Sequence, residues 1–326
     1  MTKNPLVSII IVDYRANHPY LQESLQAIKK QSYSNYEIIL VSDYQNKLKF
    51  PKLKHVNLGK TMGPAPKRDL GAKLAKGEIL AFLDDDAYPT KNWLKYLVST
   101  FSSDNVAAVG GPGLTPPGIS WQEEASGWVS TSPLGSGPYT YRFLPRTKQE
   151  IDDFPSMNLA VRKKDFFKVG GYDSHYYPGE DTKLCLDLTH KLKKKIIYEP
   201  KAIVYHHRRP LWLPHLKQNG NFGLHRGFFA RILPQTSLRF VYLLPSMLVL
   251  GLIFLISASF YPHTLPLSRF WIIFYLYFGS LIINSLWIFR YSASFFQAII
   301  SIPAIFLTHF WYGIRFLQGF FLTQKL

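Results

Sequence analysis

The chain has 326 residues, of which 47% are hydrophobic and 16% aromatic, and 38 Lys and Arg stand against 21 Asp and Glu for a formal charge of +17. That length suits one large domain or two smaller ones, and a single cysteine, Cys185, excludes an intramolecular disulfide and fits a reducing compartment. So basic a chain suits nucleic acid or a membrane surface; no recognisable nucleic-acid module occurs and the basic run abuts an apolar region, so the reading is membrane lipids and no nucleic acid.

The opening "MTKNPLVSIIIVDY" has a short apolar run and no small-residue cleavage site, so it does not read as a signal peptide, and the first 239 residues are expected in the cytosol. Residues 6–12, "LVSIIIV", form the continuous β-branched run of a strand covered on both faces. "HPYLQESLQAIKKQ" follows as a helix with Leu21, Leu25 and Ile28 on one face. Strands are predicted at 36–43, "YEIILVSD", and at "KHVNLG". The helix "GPAPKRDLGAKLAKG" has Pro66 near its start and Gly77 past its end. The strand "EILAFLDDD" and the helix "TKNWLKYLVSTF" come next. This alternation implies βαβ units and a mostly parallel sheet, in which ligands bind beyond the carboxyl ends of the strands. Asp13, Asp43 and Asp84–Asp86 all fall at those ends.

Residues 110–155 are rich in Gly, Pro and Ser and include Trp121 and Trp128, which predicts a long ordered loop able to cover a ligand. Regular pattern resumes at "SMNLAVRKKDFFKVGGYD", followed by a helix at "EDTKLCLDLTHKLKKK" and strands at "KIIYEP" and "AIVYHH". From Pro200 to Arg239 there are seven basic residues and no acid, the pattern of an interfacial linker over 209–239 on the cytoplasmic side of a membrane segment. From Phe240 onward Asp and Glu are absent and only Arg269, Arg290, Arg315 and Lys325 are charged. A bilayer core of about 30 Å takes roughly 20 apolar residues as helix. Segments at about 240–261 and 270–289 meet that, whereas 295–314 carries Gln297, Pro303 and His309 and is weaker. The expected domains are therefore 1–208, 209–239 and 240–326.

Several residues carry chemistry. Asp84 and Asp86 form an Asp-x-Asp at a strand end, hard oxygen ligands that suit Mn2+ or Mg2+ with positions left open for phosphate. Glu180 and Asp181 stand at a helix start, where one acid is explained by the helix dipole and a second suits a general base. His206 and His207 follow a strand, and imidazole is a common metal ligand. Lys67 and Arg68, near a helix start, are placed for phosphate contact or else for solvent.

In this order the motifs resemble the family-2 nucleotide-sugar glycosyltransferases of GT-A fold. "VSIIIVDYRANHPYLQESLQAIKKQSYSNYEIILVSD" is similar to their opening βαβ, "GPAPKRDLGAKLAKGEILAFLDDDAYPTKNWL" to the segment with their metal-binding Asp-x-Asp, and "MNLAVRKKDFFKVGGYDSHYYPGEDTKL" with "KIIYEPKAIVYHH" to their acceptor and base region. The resemblance covers roughly residues 6–208. It implies an α/β, Rossmann-like GT-A catalytic domain with a mostly parallel sheet, followed here by an α-helical transmembrane region. It implies donor contacts from Asp13, Tyr14, Asp43, Lys67, Arg68, Asp84 and Asp85, metal ligation by Asp84, Asp86 and His206, and a base at Asp181 beside Glu180. Two positions depart from the family pattern: Val12 replaces the usual Pro and Ser42-Asp43 the usual Asp-Asp. After Gln218 the chain reads Asn219, Gly220, Asn221, Phe222 and not the Gln-x-x-Arg-Trp of processive members. The implied activity is metal-dependent, inverting, non-processive transfer of a sugar from a nucleotide-diphosphate sugar to a hydroxyl on a lipid-linked or other glycan acceptor, by a multi-pass protein of the cell membrane whose catalytic domain is cytoplasmic. The alternatives are transfer to a polyprenyl phosphate and a membrane scaffold that binds the donor without turnover.

Overall fold

Seven consecutive residues of the first β-branched run, Val7–Asp13, form β1, and all seven are buried. A strand with no exposed face belongs inside a sheet covered by helices on both sides. The computed structural model describes residues 4–14, 18–45, 48–260 and 268–325, and these fall into two units: Met1–Pro116 with Tyr141–His207, and Pro117–Thr140 with Arg208–Leu326.

In the first unit β2 is Tyr36–Ser42, β3 Leu53–Asn57, β4 Ile79–Asp84, β5 Ala87–Pro89, β6 Val106–Gly110, β7 Gly113–Leu114, β8 Gln149–Ile151, β9 Asn158–Arg162, β10 Lys195–Tyr198 and β11 Val204–His206. Eight strands make one sheet in the order β3-β2-β1-β4-β9-β6-β10-β8, and β5-β11-β7 make a second, small one. The block β3-β2-β1-β4 is parallel throughout, and β10 lies parallel to β6. Antiparallel strands enter at β9, between β4 and β6, and at the edge strand β8. The fold is the expected α/β architecture, with the helices Pro19–Lys29, Pro64–Leu74 and Trp93–Thr100 between the early strands. Residue Gly71 lets the second of these helices lie close to β1, since a Cβ there would stand 2.6 Å from Ile10 Cγ2.

Asn158 is the polar node of this unit. It is fully buried, accepts from Trp93 Nε1 at 2.7 Å, and donates to the carbonyls of Gly111 at 2.7 Å and Ala202 at 2.8 Å. One side chain on β9 thereby satisfies a helix residue and two connecting turns. The turns approach so closely that a Cβ on Gly111 would lie 1.9 Å from Ala202 O.

The second unit is helical. The stretch expected as a loop holds the helix Trp121–Thr131, started by a reciprocal capping box in which the Ser120 side chain accepts from Glu123 N–H and Glu123 reaches back to Ser120 N–H. A second short helix, Pro133–Ser136, follows. The helix escapes the sequence pattern because most of the residues it buries are small or polar, Ala125, Ser126, Gly127 and Thr131 beside Val129, and they pack against other helices of the same unit. Ser126 Oγ lies 2.7 Å from His215 Nδ1, and Gln297 Nε2 donates to Glu124 at 3.2 Å.

The basic segment after residue 208 forms the helix Leu213–Ile232. Gly220, Gly223 and Gly227 lie on one face, where a Cβ would stand 2.5 Å from Tyr312 O at Gly223 and 2.0 Å from Phe316 O at Gly227. Only small residues allow backbones to approach this closely. The final helices are Phe240–Ser259, Ser268–Ser292 and Phe295–Phe321. Three stretches within them, Phe240–Ala258, Trp271–Ser292 and Phe295–Phe321, are long and apolar enough to cross a membrane. Residue 261, the expected end of the first span, lies outside the described residues. The third stretch runs 27 residues as one helix in spite of Pro303. Its polar residues have partners inside the unit, His309 lying 2.9 Å from Tyr277 OH and 3.1 Å from Leu134 O.

The Asn158 node yields a stability prediction. Asn158→Ala leaves the indole N–H of Trp93 and two buried carbonyls without partners, at about 1–3 kcal/mol for each unsatisfied group. We expect the melting midpoint of the full chain to fall by several degrees, read by intrinsic fluorescence; an unchanged midpoint would refute the node.

Candidate active site and metal centre

The register of the parallel block aligns its carboxyl ends: Asp13 pairs with Ser42 and Val12 with Asp84. Asp13, Asp43 and the Asp84–Asp86 triplet therefore share one edge of the sheet. Such a concentration of anions is unfavourable unless cations are nearby. The helix Pro64–Leu74 supplies two, Lys67 and Arg68, and both are buried.

Lys67 is fully buried. Its Nζ lies 2.8 Å from Asp43 Oδ1, donates to the Asp13 carbonyl at 2.8 Å, and sits 3.6 Å above the Tyr14 ring. Burial pulls the ammonium below its ordinary range and Asp43 pushes it back. Asp43 also accepts the backbone N–H of Met62 at 3.1 Å. Burial pushes the Tyr14 hydroxyl up, and that oxygen has no hydrogen-bond partner among the described residues.

Arg68 spans two carboxylates. Nη2 donates to Asp84 Oδ1 at 2.9 Å and Nη1 to Glu180 Oε1 at 2.8 Å. Burial opposes its charge, but Asp84, Tyr172 and Glu180 outweigh that and its net shift is upward. Glu180 shifts up as well, to about 7, because of burial first and the adjacent Asp181 second, with Arg68 acting against both. The guanidinium thus ties the Asp-x-Asp to the start of the helix Glu180–Leu186. Asp181, beside Glu180, is partly exposed; its Oδ1 accepts the backbone N–H of Thr182 at 2.8 Å. Its Oδ2 lies 3.4 Å from Ser156 N.

Asp84, Asp86 and His206 converge. Each offers one ligand atom, and the three atoms lie within 4.8 Å of one another. Antiparallel pairing of β11 with β5 sets His206 opposite Ala87, next to Asp86, and His206 Nε2 lies 3.0 Å from Asp86 Oδ1. Two carboxylates and an imidazole form a donor set that fits Mn2+, and Mg2+ by its oxygens. Asp85 between them is buried.

The structure brings Asp13, Tyr14, Asp43, Asp84, Asp85 and Asp86 to this edge, Lys67, Arg68, Glu180 and Asp181 to the two helices beside it, and His206 to it from β11 of the small sheet, whereas Trp121 and Trp128 fall in the helical unit. Exposure to solvent, the alternative for Lys67 and Arg68, does not hold. Sequence reasoning missed Tyr172 and Ser156, whose hydroxyls lie 2.8 Å apart, with the Tyr172 ring 5.6 Å from the Arg68 guanidinium carbon. Tyr172 stands in the "GGYD" turn, and its backbone N–H is fixed by Asp69 at 2.9 Å. Also missed was the pairing of His207 with Glu23 at 2.8 Å.

Comparison with known proteins follows the same line. A glucosyl-dolichyl phosphate glucuronosyltransferase of Haloferax volcanii is 22% identical over 224 residues, covering 61% of this chain and 68% of that protein. A pre-mycofactocin glycosyltransferase of Mycobacterium tuberculosis is 31% identical over 152 residues, covering 45% of this chain but 30% of that protein. Among solved structures, a mannosyltransferase from Pyrobaculum calidifontis in complex with GDP-Man and Mn2+ superimposes with a TM-score of 0.61 at 17% identity, over 94% of this chain and 88% of that one; the likeness is one of fold. Residues 8–170 match the model of glycosyl transferase family 2, and the chain belongs to that family.

Proposed function

We propose that this glycosyltransferase moves a sugar from a nucleotide-diphosphate sugar to an acceptor hydroxyl on a lipid-linked glycan, with inversion, one sugar at a time. The observation that carries the reading is the convergence of Asp84, Asp86 and His206 within 4.8 Å, joined through Arg68 to the Glu180–Asp181 pair. In this reading Asp84, Asp86 and His206 hold a divalent cation, which when bound supplies positive charge to the departing diphosphate. Asp13, Tyr14, Asp43 and Asp85 line the donor site, and the unpartnered Tyr14 hydroxyl is a group for the donor to satisfy. Lys67 and Arg68 hold the carboxylates of the edge in place. Asp181 takes the proton from the acceptor hydroxyl, which attacks the anomeric carbon from the face opposite the leaving group. Glu180, held by Arg68, keeps the helix start in register with the Asp-x-Asp.

Three apolar helices and a basic segment before them support a multi-pass membrane protein with its catalytic unit on the cytoplasmic side. The domain reading is a catalytic region within 1–208, from which Pro117–Thr140 departs to group with the helical unit, then a linker over 209–239 and membrane helices beyond. The name of the Haloferax relative, a glucosyl-dolichyl phosphate glucuronosyltransferase, favours a sugar already carried on a lipid phosphate as acceptor. It also keeps open the second reading, transfer to a polyprenyl phosphate itself, whose oxygen is already anionic and hardly needs a base.

Two measurements test this. In a thermal-shift screen of UDP, GDP, dTDP and CMP with Mn2+, one nucleotide at about 100 times its Kd should add about 2.7 kcal/mol of stability, and Asp86→Ala should abolish that gain. No stabilisation by any of them would refute the donor class. Asp181→Asn should lower turnover by about 100- to 10,000-fold with nucleotide binding intact; a loss of only a few-fold favours the phosphate acceptor.

A further inference from the structure

We infer that Glu23 and Tyr20 act through His207 as positioning residues for Asp86 and His206. The inference rests on the metal reading of Asp84, Asp86 and His206 given above.

His207 is 8% exposed, and its imidazole is gripped by the helix Pro19–Lys29. Nε2 lies 2.8 Å from Glu23 Oε2, and the ring stacks on Tyr20 with centroids 3.7 Å apart and planes 8° from parallel. Tyr20 is in turn braced by His18, edge-on at 4.6 Å, whose Nδ1 accepts the Tyr20 backbone N–H at 3.3 Å. A stack and a directed bond together fix both the tilt and the spin of the imidazole.

The main chain of His207 acts elsewhere. Its N–H donates to the Asp86 carbonyl at 3.0 Å. One residue thus joins the helix by its side chain and Asp86 by its backbone, while its neighbour His206 places Nε2 3.0 Å from Asp86 Oδ1. Successive side chains of an extended chain point to opposite faces, so anchoring His207 sets the roll of the chain that aims His206. The anchor is needed here because β11 has only three residues, and the chain leaves the catalytic unit immediately afterwards, at Arg208. Glu23 is 184 residues from His207, so the clamp is a tertiary device and not a local turn. Groups that orient metal ligands from outside typically change metal affinity by about 10- to 100-fold.

The test is Mn2+ binding to the full chain in detergent, read from the EPR signal of free Mn2+, alongside the metal-free melting midpoint. Glu23→Ala keeps the imidazole and removes its partner; His207→Phe keeps a ring on Tyr20 and removes the bond to Glu23. Both should weaken Mn2+ binding about tenfold, leave the metal-free midpoint unchanged, and recover turnover at saturating Mn2+. An unaltered Mn2+ Kd in both variants overturns the inference, as does a weaker Kd that appears only with a lowered midpoint, the mark of a structural role. If the unaltered chain takes up no Mn2+, the metal reading falls and this inference with it.

Discussion

Everything at the candidate site depends on keeping seven carboxylates together at one sheet edge and the helix start beside it. Asp13, Asp43, Asp84, Asp85, Asp86, Glu180 and Asp181 gather beside two buried cations, Lys67 and Arg68, which stand next to each other on a single helix. Two like charges 4 Å apart at an effective dielectric of about 20 repel by about 4 kcal/mol, so the edge cannot hold its anions unaided. The two cations divide the task. Lys67 serves the ends of β1 and β2, and Arg68 serves the end of β4 and the helix that bears the proposed base. Glu180 still shows a raised affinity for a proton, through its burial first and the neighbouring Asp181 second, although a guanidinium lies 2.8 Å away; the edge keeps more anions than the two cations offset. In the proposed reading that excess is what a divalent cation offsets.

The centre of the sheet was legible because its strands are apolar, with β1 buried throughout and β2 over its last five residues; "LVSIIIV" and "EIILVS" have no helical period to confuse them. The acidic strand ends were legible for the same reason, since a parallel sheet puts all of them on one side. What could not be read was partnership at a distance. Arg68 meets Glu180 across 112 residues, and Trp93 meets Asn158 across 65. No local pattern records either pair. Lys67 resembled any lysine of a first helical turn, and only the fold shows that Asp43 and the Asp13 carbonyl enclose it. The helix Trp121–Thr131 was hidden by the Gly, Pro and Ser around it, although its capping box, Ser120 with Glu123, stood in the sequence.

The apolar half repeats the lesson, with helices long and apolar enough to cross a membrane. Gln297 and His309 made the last hydrophobic segment look weak as a span. Both turn inward to partners: Gln297 to Glu124, and His309 to Tyr277 and the Leu134 carbonyl. In an apolar medium a polar side chain needs an internal partner more than in water, so these residues bind the unit together. The segment 117–140, which leaves the catalytic unit and returns to it, supplies two of those partners.

That arrangement explains why a metal ligand would need a clamp. The chain passes between the two units three times, after Pro116, after Thr140 and after His207. At the third passage the last residue of the catalytic unit directly follows His206. The departing chain continues directly from the short strand β11, which carries the His206 imidazole. Strand pairing resists sliding along β5, but three residues resist rotation poorly. The stack of His207 on Tyr20 and its bond to Glu23 act against rotation, at the position where it would do most harm. In the proposed reading this anchor lies between the departing chain and the metal ligand, so that His206 keeps its aim by contacts made wholly within the catalytic unit.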